Sequence, residues 1–337
     1  MYILGINAYH ADSSACIVHN GKLIFAIEEE RLKRVKHWAG FPTLSIKSCL
    51  KICNIKLSDI NYICINRDPK VNLFKKIFHI LKYKPSISLI FDRLKKRINY
   101  RSINDEIKNQ FPEDKFDGKI INVEHHNAHL ASSFYLSPFD KSCIISVDGF
   151  GDFTSTAWGF GNGLDFKVDD RIFFPHSLGI LYQSITQFLG FKDYGDEYKV
   201  MGLAPYGKPT FTNKLKELLI LNSNGKYRLN LKYFKFHKEN INYRWYNGDV
   251  YLDDLYTKEL VKLLGPERLK EGKIEEFHKD IAHSLQNLYE EAFFNILNNL
   301  YKKYKNENIC ISGGCGMNSV ANGKIKDFTP FKNIFVQ

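Results

Sequence analysis

Two imidazoles at a fixed spacing are the first chemical signal. The run VEHHNAH at residues 123–129 places His125 and His129 four residues apart. On a helix that spacing puts both rings on one face, where they can chelate one cation. The zinc-protease pattern HExxH fails, because His126 stands where that pattern needs a catalytic glutamate. Further along, Asp148 closes the apolar run CIISV. From such a strand end a carboxylate can reach a neighbouring helix terminus. Two imidazoles and a carboxylate with open positions suit Zn²⁺ or non-haem Fe²⁺ acting on an anionic ligand. Spacing alone leaves a second reading open, in which the histidines merely line a core or surface helix.

Three further segments carry chemistry-bearing residues. SGGCGMN at residues 312–318 is a glycine turn between an apolar run and a polar one. Gly313 and Gly314 let backbone N–H groups approach a phosphate or nucleotide, with Asn318 at the start of the next helix. The segment is neither GxGxxG nor GxxxxGK[ST], so the Rossmann and phosphate-loop patterns are excluded. A tight turn without a ligand fits equally well. EYKVMGLAPYG at residues 197–207 offers Glu197 and Lys199 as a charge pair for a ribose or phosphate, or as an ordinary surface ion pair. HADSSA at residues 10–15 is a polar turn in which His10 and Asp12 could form an acid–base pair. It is followed by the charged run EEERLKRVKH, which reads equally as a solvated strand end.

The elements that must hold these residues alternate between strand and helix. Strands are expected at residues 2–6, 15–18 and 23–27, with Asn20-Gly21 as the tight pair of a hairpin. Others are expected at 62–65, 119–123, 143–147, 154–159, 309–312 and 334–337. Helices are expected at 43–53, 127–135, 177–189, 196–203 and 274–305, with a short one from Asn318. The pattern indicates an α/β chain. Strand, polar turn and strand occur twice, at residues 2–18 and 143–159, which points to a duplicated unit. Residues 208–255 are polar and aromatic and give no clear assignment.

Length and charge bound the rest. The chain has 337 residues and a net charge of +11, which favours anionic partners. The excess concentrates at residues 70–101, where Asp92 is the single acid. That stretch reads as a solvated insertion or as a surface facing phosphates or a membrane. Seven cysteines without framework spacing, no signal-peptide pattern and no apolar run of spanning length make a reducing cytoplasm the expectation.

Taken together, the segments resemble the carbamoyltransferase family that includes nodulation-factor and antibiotic O-carbamoyltransferases. The stretches are LGINAYHADSSA, EEERLKRVKHWAGFP, VEHHNAHLASSFYLSPF, SVDGFGD, HSLGILYQSITQFLGF, DEYKVMGLAPYG and SGGCGMNSVANGKI. The resemblance implies a duplicated actin/Hsp70/sugar-kinase-like fold, close to the domain that transfers threonylcarbamoyl to tRNA. Its lobes would be residues 1–140, with the basic insertion, and 141–337. It implies His125, His129 and Asp148 as ligands of Fe²⁺ or Zn²⁺. Glu197, Lys199, Gly313, Gly314 and Asn318 would lie in segments that contact the nucleotide, and His10 and Asp12 near the catalytic turn. The expected substrates are carbamoyl phosphate, ATP and a hydroxyl-bearing acceptor, with carbamoyl adenylate between them.

Two departures stand out. Ala11 separates His10 from Asp12, where the family commonly has His directly before Asp. The family's later Gly-Asp metal segment and its YrdC-like activating domain are not in this sequence, so a YrdC-like partner is expected in cis or in trans. A tRNA-modifying transferase and a nucleotide-binding scaffold are the rival readings. The stretches EEERLKRVKH and HSLGILYQSITQFLGF argue against the former, and nucleic acid is not the expected partner.

Overall fold

The computed structural model describes residues 1–91, 103–246 and 249–337, with side chains described outside 243–251. The second part of the basic stretch, residues 92–101, lies outside the described residues. The chain divides into two compact units. One comprises residues 1–71, 90–125 and 244–250, the other residues 72–89, 126–243 and 251–337.

The first unit holds a five-stranded mixed sheet of order β3-β2-β1-β4-β5. Its strands are β1 (Tyr2–Asn7), β2 (Ser14–His19), β3 (Lys22–Glu28), β4 (Tyr62–Ile65) and β5 (Lys119–Asn122). β1, β2 and β3 are antiparallel neighbours, and β4 and β5 add in parallel. Asn20 and Gly21 both have positive φ (48° and 79°) in the turn from β2 to β3, as a two-residue hairpin requires. The helix Thr43–Cys53 buries Ile46, Cys49 and Leu50, one helical face, in the same cluster as Leu4, Ile6 and Ile63 of the sheet. Its first turn is anchored by the buried Glu29 carboxylate, which accepts N–H bonds from Leu44 (3.1 Å) and Ser45 (2.7 Å).

The second unit repeats the plan. Its strands are β6 (Lys141–Gly151), β7 (Thr154–Asn162), β8 (Asp165–Phe173), the short β9 (Leu219–Leu221) and β10 (Tyr227–Leu229), then, after β11 (Tyr243–Tyr246) and β12 (Asp249–Leu252), which carry residues assigned to the first unit, β13 (Asn308–Ser312) and β14 (Asn333–Val336). The main sheet has the order β14-β13-β6-β7-β8. Read from the β8 edge, it has the directions of the first sheet: two antiparallel pairings, then two parallel ones. The long helix Glu276–Tyr304 buries Ile281, Leu285, Leu288, Ala292, Ile296 and Leu300 in its core. Among the described residues, no helix is long and apolar enough to cross a membrane.

Some boundaries differ from the sequence expectation. The helix expected from residue 127 starts at His125, and β6 continues past Asp148 to Gly151 through a register shift after Val147. Asp148 is therefore within the strand rather than at its end. β8 was not expected, because its run DFKVDDRIF mixes charges with apolar residues. Charged side chains are a common feature of edge strands, and β8 is an edge. Cys16 and Cys64 are half-buried, whereas Cys143 and Cys310 are fully enclosed.

Candidate functional site

The helix His125–Phe134 presents different histidines to different surroundings. Leu130 and Phe134 fix one face in a cluster with Ile144, Ala157 and Cys310. His126 is fully buried on that side, bonded through Nδ1 to Ser146 Oγ and through Nε2 to the Thr154 carbonyl at 3.0 Å. It clamps the helix to β6 and β7. His125 and His129 share another face, one turn apart. The division between the two units falls at the first residue of this helix, which runs unbroken through His129.

His125 Nδ1 lies 3.2 Å from the Asn66 carbonyl, a contact that fixes the tautomer with its lone pair on Nε2. His129 Nε2 lies 3.3 Å from Asp148 Oδ2. One ligand atom from each of His125, His129 and Asp148 lies within 4.8 Å of the other two. The donor set fits a divalent cation of the Zn²⁺ or Fe²⁺ type: two imidazole nitrogens, one carboxylate oxygen and an outer carbonyl orienting one ring.

The other Asp148 oxygen accepts the Gly314 N–H at 3.2 Å, joining the carboxylate to the glycine turn. Gly313 has φ +85°, and a Cβ there would lie 2.4 Å from the Val147 carbonyl oxygen. Only glycine lets this turn approach β6 so closely. Cys315 follows. Burial raises its thiol pKa well above the usual value, and the nearby Asp148 and Glu197 carboxylates raise it further. Glu197 thus stands on the glycine-turn side of the second unit. Lys199 pairs with Asp196 at 2.7 Å, which raises its own pKa. Asn318 caps the helix Ser319–Gly323 by accepting the Ala321 N–H at 2.9 Å. It also exchanges two 3.0 Å bonds with Gln286. Its side chain thereby fixes the direction in which the turn enters the helix.

In the first unit, Tyr9 and Asp12 hold positive φ (59° and 61°) between β1 and β2. The turn is tied down by Tyr9 N–H to Gly40 O (3.2 Å), Ser13 N–H to Trp38 O (2.9 Å) and Ser13 Oγ to Gly40 O (2.8 Å). Asp12 Oδ1 meets His37 Nδ1 at 2.9 Å, and the His37 N–H donates to Glu30 Oε2 at 2.8 Å. Ligand atoms of Asp12, Glu30 and His37 lie within 4.8 Å of one another. In the sequence, Glu30 and His37 stand only within a charged run. Their one local signal was that run's position straight after the polar turn. His10 Nδ1 faces the Ala11 carbonyl at 3.2 Å, and its ring centroid is 6.4 Å from that of His125.

The family model described as Carbamoyltransferase N-terminus matches residues 2–337. The chain belongs to this family. It is 34 % identical to an uncharacterised protein of Synechocystis, over all of this chain and 54 % of that protein. It is 31 % identical to the nodulation protein NolNO of Sinorhizobium fredii, over 98 % of this chain and 44 % of that protein. The chain spans about half the length of these relatives. Among solved structures, component A of the Acidaminococcus fermentans (R)-2-hydroxyglutaryl-CoA dehydratase aligns over the whole chain with a TM-score of 0.46 and 11 % identity.

In this chain the candidate groups follow one rule of position. His10 and Asp12 follow β1, Asn66 follows β4, and His125 follows β5. Asp148 lies two residues beyond the last parallel pair, Ser146 with Ser312, and Gly313 and Gly314 follow β13. All of them lie at the carboxyl ends of parallel-paired strands, where open α/β sheets bind ligands.

Proposed function

We propose that the chain is the transfer domain of an O-carbamoyltransferase. It moves a carbamoyl group from carbamoyl adenylate, made from carbamoyl phosphate and ATP, to a hydroxyl of a sugar or natural-product acceptor. The observation that carries the reading is the convergence of His125, His129 and Asp148, with Asp148 also bonded to the glycine turn. The matching order and directions of the two sheets support a duplicated actin/Hsp70/sugar-kinase-like architecture. Because the chain spans about half of its relatives, a YrdC-like activating domain is the proposed source of the adenylate.

A divalent cation, Fe²⁺ or Zn²⁺, held by His125, His129 and Asp148 supplies Lewis acidity toward a phosphate or carbamoyl oxygen. The glycine turn, with Glu197, Lys199 and Asn318 in the segments around it, holds the adenylate end. In the transfer, the acceptor oxygen bonds to the carbamoyl carbon, the bond to the AMP phosphate oxygen breaks, and the hydroxyl proton goes to a base. Asp12, with His37 bonded to its carboxylate, is that base, and His10 stands beside the His125 ring at the head of the helix.

His129→Ala is the test. Supplied with a YrdC-like partner, ATP, carbamoyl phosphate and a polyol acceptor, this variant should lose transfer while its far-UV circular dichroism stays unchanged. Zn²⁺ titration by calorimetry should show the matching loss of affinity. Full transfer by the variant would remove the triad from the chemistry.

A further inference from the structure

The helix Leu73–Tyr83 is folded inside out. Its one fully buried residue is a histidine, His79, whereas Phe74, Ile77, Phe78 and Leu81 are 88, 55, 59 and 70 % exposed. Those four follow the i, i+3, i+4, i+7 rule and form a single apolar stripe. A helix packed on a water-soluble core turns such a stripe inward. Here the inward face is held by the His79 ring, which lies 4.7 Å from the Phe174 ring and 5.8 Å from that of Phe153, with Nε2 3.3 Å from the His237 carbonyl. The outward direction of the stripe is therefore fixed by packing.

The surrounding charge has one sign. Residues 70–91 contain five lysines and no acid. Lys75 and Lys82 flank the stripe and also line a cavity of about 660 Å³ together with Arg171, Lys226 and Arg228. Aromatic rings wall it, and among the described residues no aspartate or glutamate lines it. Lys226 pairs with Asp170 at 2.6 Å, but Lys75, Lys82 and Arg228 form no ion pair among the described residues. His176, in the cavity wall, is lowered to about 4 by burial and then by Arg228 and Lys82, in keeping with a positive field.

We propose that this helix is an interfacial membrane-binding element. Its apolar stripe enters the boundary between headgroups and acyl chains of an anionic bilayer, and the adjoining cationic cavity takes a lipid phosphate. An outward apolar stripe flanked by lysines is the pattern of helices that lie in a bilayer interface. Single-sign charge matches the surface potential of anionic lipids. A second copy of the chain fits poorly as the occupant, because it would bring five lysines against five. This inference does not depend on the transfer chemistry.

The test is co-sedimentation of the 337-residue chain with phosphatidylcholine vesicles, with and without phosphatidylglycerol. The chain should bind the phosphatidylglycerol vesicles, and binding should weaken as salt is raised. The double variant Phe74→Ser/Leu81→Ser, altered only at exposed positions, should bind about tenfold more weakly or worse, given the apolar area removed. Its circular dichroism should be unchanged. Arg228→Gln should weaken binding to the anionic vesicles alone. Failure of the chain to bind vesicles would overturn the inference. So would equal binding by the double variant, or unchanged binding by Arg228→Gln. Binding of free inorganic phosphate without vesicle binding, or light scattering showing that the stripe only joins two copies, would likewise overturn it.

Discussion

Gly313→Ala tests whether the glycine turn is built by close approach to β6. The residue has φ +85°, a region that costs an L-residue about 1–2 kcal/mol. The added methyl would lie 2.4 Å from the Val147 oxygen, 2.8 Å from its carbonyl carbon and 3.0 Å from its nitrogen. These are backbone atoms of a central strand and cannot rotate aside. The parallel pair Ser312 and Ser146 holds the turn close to β6 one residue earlier. Overpacking of this kind costs about 1–3 kcal/mol, so the sum is about 2–5 kcal/mol. For a unit of this size that corresponds to a fall in Tm of roughly 5–15 °C. Gly202→Ala is the control. It lies inside the helix Glu197–Leu203 with nothing within 4 Å of its added methyl. There alanine is worth about 0.5–1 kcal/mol more than glycine, so Tm should hold or rise. Both variants are read by thermal circular dichroism. If Gly313→Ala melts within about a degree of the parent, the account of a glycine imposed by β6 is wrong.

Two further outcomes follow from buried histidines. His126→Ala removes the imidazole that bonds Ser146 and Thr154, leaving a void and stranded partners. It should cost about 3–4 kcal/mol in urea unfolding, and a shift under about 1 kcal/mol would deny its clamping role. His237 is lowered from 6.5 to about 4 by burial, then by Lys238 and His79. Between about 4 and 6.5 the unfolded chain takes up a proton that the native ring refuses, so stability falls as the solution is acidified through that window. The loss is on the order of 2 kcal/mol for this ring after allowing for nearby water, and His176 adds in the same direction. The slope should flatten in His237→Gln. A pH-independent midpoint in the parent would refute the assignment.

Much of the frame was legible because apolar periodicity and turn chemistry agreed. The helix Thr43–Cys53 and the strand Tyr62–Ile65 begin and end where the sequence indicated. The long helix expected at residues 274–305 is found at Glu276–Tyr304. The repeat was visible as strand, polar turn and strand, because in both units that segment is the antiparallel pair at the centre of the sheet. The third member of the second repeat, β8, escaped because an edge strand needs no clean alternation. Within the candidate site, His125 and His129 were legible from spacing, and Asp148 from its place after an apolar run. The pairing of Asp12 with His37 was not, since the two are 25 residues apart and a loop held by Gly40 and Trp38 brings them together. Lys199 was read with Glu197 as its neighbour in the motif, but helical geometry gives it Asp196, three residues back.

The two units share one sheet plan, and the backbone shows where each departs from it. In the first, the turn between β1 and β2 holds Tyr9 and Asp12 at positive φ; in the second, the turn between β6 and β7 holds Asp152 and Phe153 at φ 46° and 73°. Non-glycine residues in that region cost about 1–3 kcal/mol each and persist only where the surroundings over-determine them. The surroundings are present in both cases. Gly40 and Trp38 hold the first turn, while Asn72 Nδ2 donates to the Asp152 carbonyl at 2.8 Å in the second. The strained turn of the first unit presents Asp12 to His37. In the second, β6 shifts register after Val147, and Asp148 in the shifted stretch meets His129 and the Gly314 N–H. The two turns differ in kind. Asp152 and Phe153 form a two-residue hairpin, in which positive φ at both central residues matches the strand twist. The longer loop from Asn7 to Ser14 obeys no such rule, so the positive φ of Tyr9 and Asp12 is explained if the position of the Asp12 carboxylate is what that loop preserves.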